Sequence, residues 1–93
     1  MNISRSVKTE TKAELIKLGT VFFSRSQARD IFASLDKFKV IILDFDQVPT
    51  IGQAFADEIF RVFLSTHPDV EIKVINANEA VQFMIDRVEK SKS

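Results

Sequence analysis

A run of four consecutive apolar residues, from Val40 to Leu43, constrains the fold of this chain more than any other feature. The run does not alternate with polar residues, as it would in a strand with one face in water. A short β-branched run of this kind is typical of a strand buried on both faces, and such strands occur in sheets covered by helices. We therefore predict a central strand from Lys39 to Phe45 in an α/β fold.

A short acidic turn ends this strand. Asp44 stands at the strand end, where its carboxylate can accept hydrogen bonds from backbone N–H groups of the loop. Asp46 is a turn-forming residue, and Pro49 lacks the N–H that a strand ladder requires. We expect the turn to lead directly into a helix.

Residues 51–65 have the periodicity of an amphipathic helix. At about 100° per residue, the polar side chains fall on one arc and the apolar side chains fall opposite. The polar arc holds Gln53, Asp57, Glu58, Arg61 and Ser65, and the apolar arc holds Ile51, Phe55, Ile59, Val62 and Phe63. We expect Asp57 and Glu58 to be solvated, with Asp57 paired to Arg61. Residues 67–69 end the helix, and we interpret His67 as a loop residue.

Two further helices are predicted on either side of this central unit. Ser24 and Gln27 have the spacing of a capping box, followed by about three turns with apolar residues at Ala28, Ile31, Phe32 and Leu35. The last helix follows a predicted strand at Glu71–Ile75, and Asn76 and Glu79 have the spacing of an Asn cap with a glutamate. Its core side carries Val81, Met84, Ile85 and Val88, so that Phe83 points away from the core.

Residues 2–22 predict one or two strands, although residues 12–18 also have the composition of a helix. Strands that alternate with helices indicate right-handed crossovers that place helices against the sheet. The fold that we predict is a small α/β domain with a mixed sheet of about four strands and three main helices. Residues 1–93 form a single domain in this interpretation, with residues 1–12 and 90–93 as flexible ends.

Composition narrows the function classes. Thirteen basic and thirteen acidic side chains cancel, so we predict no nucleic-acid binding through phosphate neutralisation. We find no run of about 20 apolar residues and predict no membrane association and a cytoplasmic location. The chain has no Cys, one His and two Gly, which leaves no thiolate or zinc set and no glycine-rich phosphate loop. We expect no metal and no cofactor.

Several segments together resemble a known family. Leu15–Gly19 before the first helix, with Leu43–Val48 and Ile51 before the second, is similar to the STAS domain of anti-sigma factor antagonists. Ser24–Ala28, Gly52–Arg61 and the later Asn76 more closely resemble a bacterial STAS-like family of unknown function. The resemblance covers residues 14 to 88 and implies a small α/β regulatory module that works by binding other proteins.

The resemblance also implies a class of partner and a difference in regulation. Some members are attached to histidine-kinase-type ATPase segments, so the implied partner is a protein such as an ATPase or a kinase. In the anti-sigma antagonists, a partner kinase phosphorylates a Ser at the start of the helix after the central strand. The matching positions here are Gln53 and Ala54, which have no hydroxyl. Thr50 is the nearest hydroxyl, either as a phosphorylation site or as a helix-start residue.

The leading hypothesis is therefore a non-enzymatic regulatory domain that binds a protein partner. Gly52 and Ala54 have small side chains at the start of the helix, so we expect that a partner can approach the helix backbone there. Polar contacts would surround this point, and one exposed aromatic would lie on the last helix. The candidate partner-binding residues are Asp46, Thr50, Gly52, Gln53, Ala54, Asp57, Arg61 and Phe83.

Two alternatives stay open. Val40–Val48 matches the strand with Asp-x-Asp-x-Val of haloacid-dehalogenase-type phosphatases, in which one Asp attacks phosphorus and the other moves a proton beside Mg²⁺. Asp44 and Asp46 would take these roles, but only 45 residues follow Val48, whereas those enzymes need a Lys and an acidic pair after a long stretch. A self-associating structural module is the third hypothesis.

Overall fold

The computed structural model describes residues 9–19 and 21–90. In these residues three parallel strands form one sheet in the order β1-β2-β3. The strands are β1 at Glu10–Glu14, β2 at Val40–Asp44 and β3 at Glu71–Ile75. A 3₁₀ turn at Leu15–Lys17 follows β1. The α/β fold and the position of β3 are thus as predicted.

Three helices connect and complete the strands. Helix α1 spans Arg25–Phe32 and helix α3 spans Glu79–Lys90. Helix α2 runs from residue 53 to 66 as an α-helical start at Gln53–Asp57, a π-helical middle at Glu58–Phe63 and a last turn at Leu64–Thr66. It ends before His67-Pro68, as the sequence predicts.

The helices pack side by side on one face of the sheet, with α2 between α1 and α3. Ile41 and Leu43 of β2 are fully buried beneath them, whereas Val40 and Ile42 on the opposite face are only half-buried. The prediction that the central strand is buried on both faces is therefore wrong for one face. The physical reason is the strand order, because two right-handed crossovers in the same direction place their helices on the same side.

Other details of the predicted fold need correction. The described sheet has three strands, all parallel, so neither the mixed direction nor a fourth strand is confirmed. Residues 10–12, suggested as part of a flexible end, belong to β1, while residues 1–8 and 91–93 lie outside the described part. Helix α1 has about two turns instead of three, because the chain beyond it tightens into i→i+3 bonds such as Leu35 N–H to Phe32 O at 3.1 Å.

The two predicted helix caps have different outcomes. The capping box of α1 is confirmed, since Ser24 Oγ accepts from the Gln27 N–H at 3.1 Å and Gln27 Oε1 accepts from the Ser24 N–H at 2.9 Å. The cap of α3 is Asn78, whose Oδ1 accepts from the Val81 N–H at 2.8 Å. The prediction of Asn76 at this position is wrong, because its side chain binds elsewhere.

One close backbone contact positions the start of α2. The Gly52 N–H donates to the Phe22 carbonyl at 2.8 Å. A methyl group on Gly52 would lie 2.8 Å from Phe23 Cδ1 and 2.9 Å from Phe23 Cα. The second atom belongs to the backbone and cannot turn aside. Only glycine therefore allows the β1–α1 connection to lie directly against the α2 start.

This contact generates a prediction with a matched control. Gly52→Ala should lower the free energy of unfolding by about 1–3 kcal/mol, because the added methyl forces the two backbones apart. Gly19→Ala should change it much less, since the new methyl would lie 3.5 Å from the Phe22 ring, in ordinary contact. Urea unfolding of both variants measures the difference. Equal losses would show that the close approach at Gly52 is unimportant.

Candidate functional site

All three strands end at the same edge of the sheet, because they are parallel. The described residues that follow them, 15–19 and 21–24, 45–52 and 76–78, therefore gather at this edge. In open α/β sheets the crevice outside the carboxyl ends of the strands is the usual place for binding. The predicted residues Asp46, Thr50 and Gln53 all lie here and are exposed.

Asp44 holds two of these loops together. Its Oδ1 accepts from Asn76 Nδ2 and from the Asp46 N–H, both at 2.9 Å, and Lys12 Nζ lies 3.7 Å from its Oδ2. The hydrogen bond from Asn76, followed by that from Asp46, lowers the pKa of Asp44 below its ordinary value. The expectation that Asp44 accepts loop N–H groups is confirmed. Asp44 is 6% exposed, and both of its carboxylate oxygens face groups of the protein itself.

Exposed apolar side chains concentrate on the loop after β1. Leu18, Val21 and Phe23 are each about half exposed. Phe23 lies against Gly52, the N-cap residue that directly precedes Gln53 at the start of α2. Large apolar side chains in water are informative when several occur together. We call six of the exposed residues at this edge the carboxyl-edge surface: Leu18, Val21, Phe23, Asp46, Thr50 and Gln53.

The space above Gly52 is not open to a partner. The sequence suggested that Gly52 keeps the helix start low for a partner's backbone, but the chain's own Phe23 occupies this space. Gly52 is therefore a packing residue, and Ala54 is half-buried. A partner that approaches this point would meet the half-exposed side chain of Phe23.

Asp57 and Glu58 are buried instead of solvated. They are 8% and 9% exposed, because α1 covers this part of the polar arc of α2, whereas Gln53, Arg61 and Ser65 stay exposed. Arg25 Nη1 donates to Asp57 at 2.7 Å and to Glu58 at 3.4 Å, and Arg29 Nε donates to Glu58 at 3.4 Å. Arg61 binds Asp57 with two of its nitrogen atoms, which confirms the predicted i,i+4 pair. Buried carboxylates are stable only when paired in this way.

The predicted partner-binding residues do not all lie at one place. Asp57 and Arg61 are hydrogen-bonded to each other. At about 1.5 Å per residue, the Cα atom of Arg61 lies about 12 Å along the helix axis from that of Gln53. Phe83 is 64% exposed on α3, away from the core as predicted. Thr50 precedes the N-cap residue, Gly52, and α2 has no side-chain cap. The structure thus places Asp46, Thr50 and Gln53 as exposed residues at one edge, with Gly52 and Ala54 adjacent to Gln53, and leaves Asp57, Arg61 and Phe83 apart from them.

Sequence reasoning missed Phe23 and the two arginines of α1. Phe22 and Phe23 are adjacent in extended backbone, so their side chains point to opposite sides and only Phe22 can enter the core. Arg25 and Arg29 are four residues apart on one helix, which places them on one face. These two patterns could have indicated an exposed aromatic and a cationic face.

A cavity of about 210 Å³ lies between α1 and the π-helical part of α2. Phe32, Phe63 and His67 are among its lining residues. The His67 imidazole stacks on the Phe63 ring with centroids 4.1 Å apart, and its Nδ1 lies 3.0 Å from the Phe63 carbonyl oxygen. These contacts account for His67 as a residue that closes the end of α2.

Two further properties concern only residues 9–19 and 21–90. No helix there is both long enough and apolar enough to cross a bilayer. Acidic and histidine side chains in the same residues form no group of three or more that could hold a metal ion.

The fold defines a class of protein: a small α/β domain with three helices on one side of a parallel sheet and its loops gathered at the carboxyl edge. Comparison with protein families gives a match to the STAS-like domain of unknown function (DUF4325) over residues 27–82. The chain belongs to this family of STAS-like domains. Searches of curated proteins and of solved structures find no match.

The buried carboxylate of Asp57 generates a prediction about acid stability. Hydrogen bonds from Arg61, and then from Arg25, lower the pKa of Asp57 from 3.8 to about 2. The unfolded chain therefore binds this proton more readily, and the stabilisation is complete above about pH 4 and lost as the pH falls towards about 2. Asp57→Asn should lose about 1–2 kcal/mol near neutral pH, and the difference from wild type should shrink in acid.

Urea unfolding at a series of pH values measures this difference. Asp30→Asn removes one negative charge from an exposed position of α1 and controls for net charge. A wild-type to Asp57→Asn difference that stays constant between pH about 4 and about 2 would contradict the assignment of the network.

Proposed function

We propose that this chain is a non-enzymatic regulatory domain that binds a protein partner through its carboxyl-edge surface. One observation carries the proposal: half-exposed Phe23 lies against Gly52, the residue directly before the exposed Gln53, at the edge where the loops gather. Leu18 and Val21, on the same loop, extend the apolar part of this surface.

The chemistry of the surface supports a protein as the partner. Protein interfaces combine a small apolar centre, often with an aromatic anchor, and a polar rim. Phe23 provides the aromatic side chain, and Asp46, Thr50 and Gln53 provide polar groups nearby. Phe23 is held against Gly52, so that less conformational entropy is lost when a partner covers it.

Membership of the STAS-like family supports a regulatory role at the level of the class. The partner that we propose is a histidine-kinase-type ATPase or kinase, as the resemblance to the wider STAS group implies. Gln53 and Ala54 occupy the positions of the phosphorylated helix start. We infer that release of the partner does not depend on phosphorylation at these two positions, and Thr50 stays a candidate for modification.

Replacement of Gln53 by Arg tests the surface. Tagged wild-type protein should capture a partner from a lysate of the source cell, and the partner is then identified by mass spectrometry and purified. Gln53→Arg should weaken binding of the purified partner at least about 10-fold, because a long cation would stand beside Phe23 and lack a complementary charge. The melting temperature should stay unchanged, since Gln53 is exposed.

Ser65→Arg is the matched control. It introduces the same side chain at an exposed position of the same helix, but at the opposite end. Binding by Ser65→Arg should equal that of the wild type. Equal affinities for wild type and Gln53→Arg would rule out the carboxyl-edge surface as the interface.

A phosphoesterase assay tests the non-enzymatic part of the proposal. A nucleophilic aspartate must approach phosphorus, but the Asp44 carboxylate accepts hydrogen bonds from Asn76 and Asp46, and the residue is only 6% exposed. Purified protein with Mg²⁺ should therefore release no more phosphate from p-nitrophenyl phosphate than a buffer blank. Hydrolysis that requires Mg²⁺ and disappears in Asp44→Asn would establish the phosphatase instead.

A further inference from the structure

Strand β3 is an edge strand of the described sheet, and its outer side is unpaired by any other described segment. The Glu71 N–H donates to Lys39 O at 2.8 Å, and Ile75 O accepts from the Phe45 N–H at 3.0 Å. Backbone groups in a parallel ladder alternate in direction. The odd-numbered residues therefore bond to β2, and the N–H and C=O groups of Ile72 and Val74 point outwards. This edge offers two residues with free backbone donors and acceptors.

The side chains of β3 on the open face of the sheet alternate in charge. Glu71 and Lys73 are both exposed and stand two residues apart on the face away from the helices. The same charges recur across the sheet, since the strand register aligns Glu10 and Glu71 in one row and Lys12 and Lys73 in the next. One row of this face is thus acidic and the neighbouring row is basic.

We propose that two copies of this chain pair along β3 in antiparallel orientation, with the two-fold axis at Ile72. Ile72 then faces Ile72 of the second copy as a hydrogen-bonded pair through the outward backbone groups. Glu71 of each copy faces Lys73 of the other, which gives two ion pairs, and Val70 faces Val74. The two sheets join into one continuous sheet of six strands.

Charge complementarity selects this register. An axis at Lys73 would place the two lysines directly opposite each other, which is unfavourable. An axis at Val74 would place Lys73 opposite Ile75 and form no ion pair. The axis at Ile72 also extends the acidic row of one copy into the basic row of the other. A parallel arrangement of two copies does not close as a two-fold dimer, so the pairing is antiparallel. Because Glu71 and Lys73 are complementary to themselves in this orientation, a second copy is the occupant that fits this edge.

The pairing surface is distinct from the carboxyl-edge surface. β3 presents a side of the sheet, whereas Phe23 and Gln53 lie at the ends of the strands. Loss of dimerisation and loss of partner binding are therefore separable outcomes, and the inference does not rest on the proposed function.

Charge reversal tests the proposal. Light scattering during size-exclusion chromatography should give wild-type protein a mass twice that of the 10.6 kDa chain. Lys73→Glu and Glu71→Lys should each place like charges opposite each other at two points and raise the dissociation constant of the dimer at least about 10-fold. The double variant Glu71→Lys with Lys73→Glu restores both ion pairs and should restore the dimer.

Glu10→Lys is the matched control, because Glu10 occupies the same row on the opposite edge strand. Its mass should equal that of the wild type. A wild-type mass of 10.6 kDa at concentrations up to about 1 mM would overturn the proposal. A dimer that survives both single reversals, or that the double variant fails to restore, would overturn it as well.

Cysteine substitutions test the register, since the natural chain has no Cys. Ile72→Cys should form a disulfide-linked dimer on oxidation, because hydrogen-bonded antiparallel pairs have Cα atoms about 5.5 Å apart. Val74→Cys lies on the same face but faces Val70 of the second copy, so it should stay monomeric in a denaturing gel. A disulfide at position 74 and none at 72 would overturn the proposed axis.

Discussion

The contact between Gly52 and the Phe22–Phe23 backbone positions most of the remaining structure. Phe22 is buried against Phe55, with ring centroids 5.4 Å apart, and its carbonyl accepts the Gly52 N–H. The hydrogen bond and the ring contact together hold the loop after β1 against the start of α2. A consequence is that Phe23 cannot enter the core and remains half exposed at the carboxyl edge. The packing of one glycine thus creates the surface that we assign to partner binding.

Two different kinds of polar contact stabilise this arrangement. At the carboxyl edge, Asp44 links the loops after β2 and β3 through Asp46 and Asn76. Between α1 and α2, three arginines pair with the buried carboxylates of Asp57 and Glu58: Arg25 and Arg29 of α1 and Arg61 of α2. Because an unpaired buried charge is costly, this network fixes how α1 lies on α2. The rigid scaffold carries the exposed loops, as is usual for binding domains.

In the partner-binding proposal, the absence of a hydroxyl at positions 53 and 54 favours binding that no phosphate at these two positions controls. The phosphate switch of the wider STAS group acts at the start of the helix after the central strand. In this chain the same place presents an amide, an alanine and a neighbouring aromatic ring. Two copies paired along β3, as we propose, would together present two carboxyl-edge surfaces in a fixed geometry.

The sequence by itself determined the element types, the capping box of α1, β3 and the end of α2, because these follow from local periodicity and turn chemistry. It also indicated Asp44 as an acceptor and Gln53 as an exposed residue. Only the tertiary structure decided that Asp57 and Glu58 are buried and that Gly52 is covered by Phe23. The periodicity of one helix defines its arcs, but another helix decides which arc meets water. Likewise, the one-sided placement of the helices depends on strand order, which no local pattern specifies.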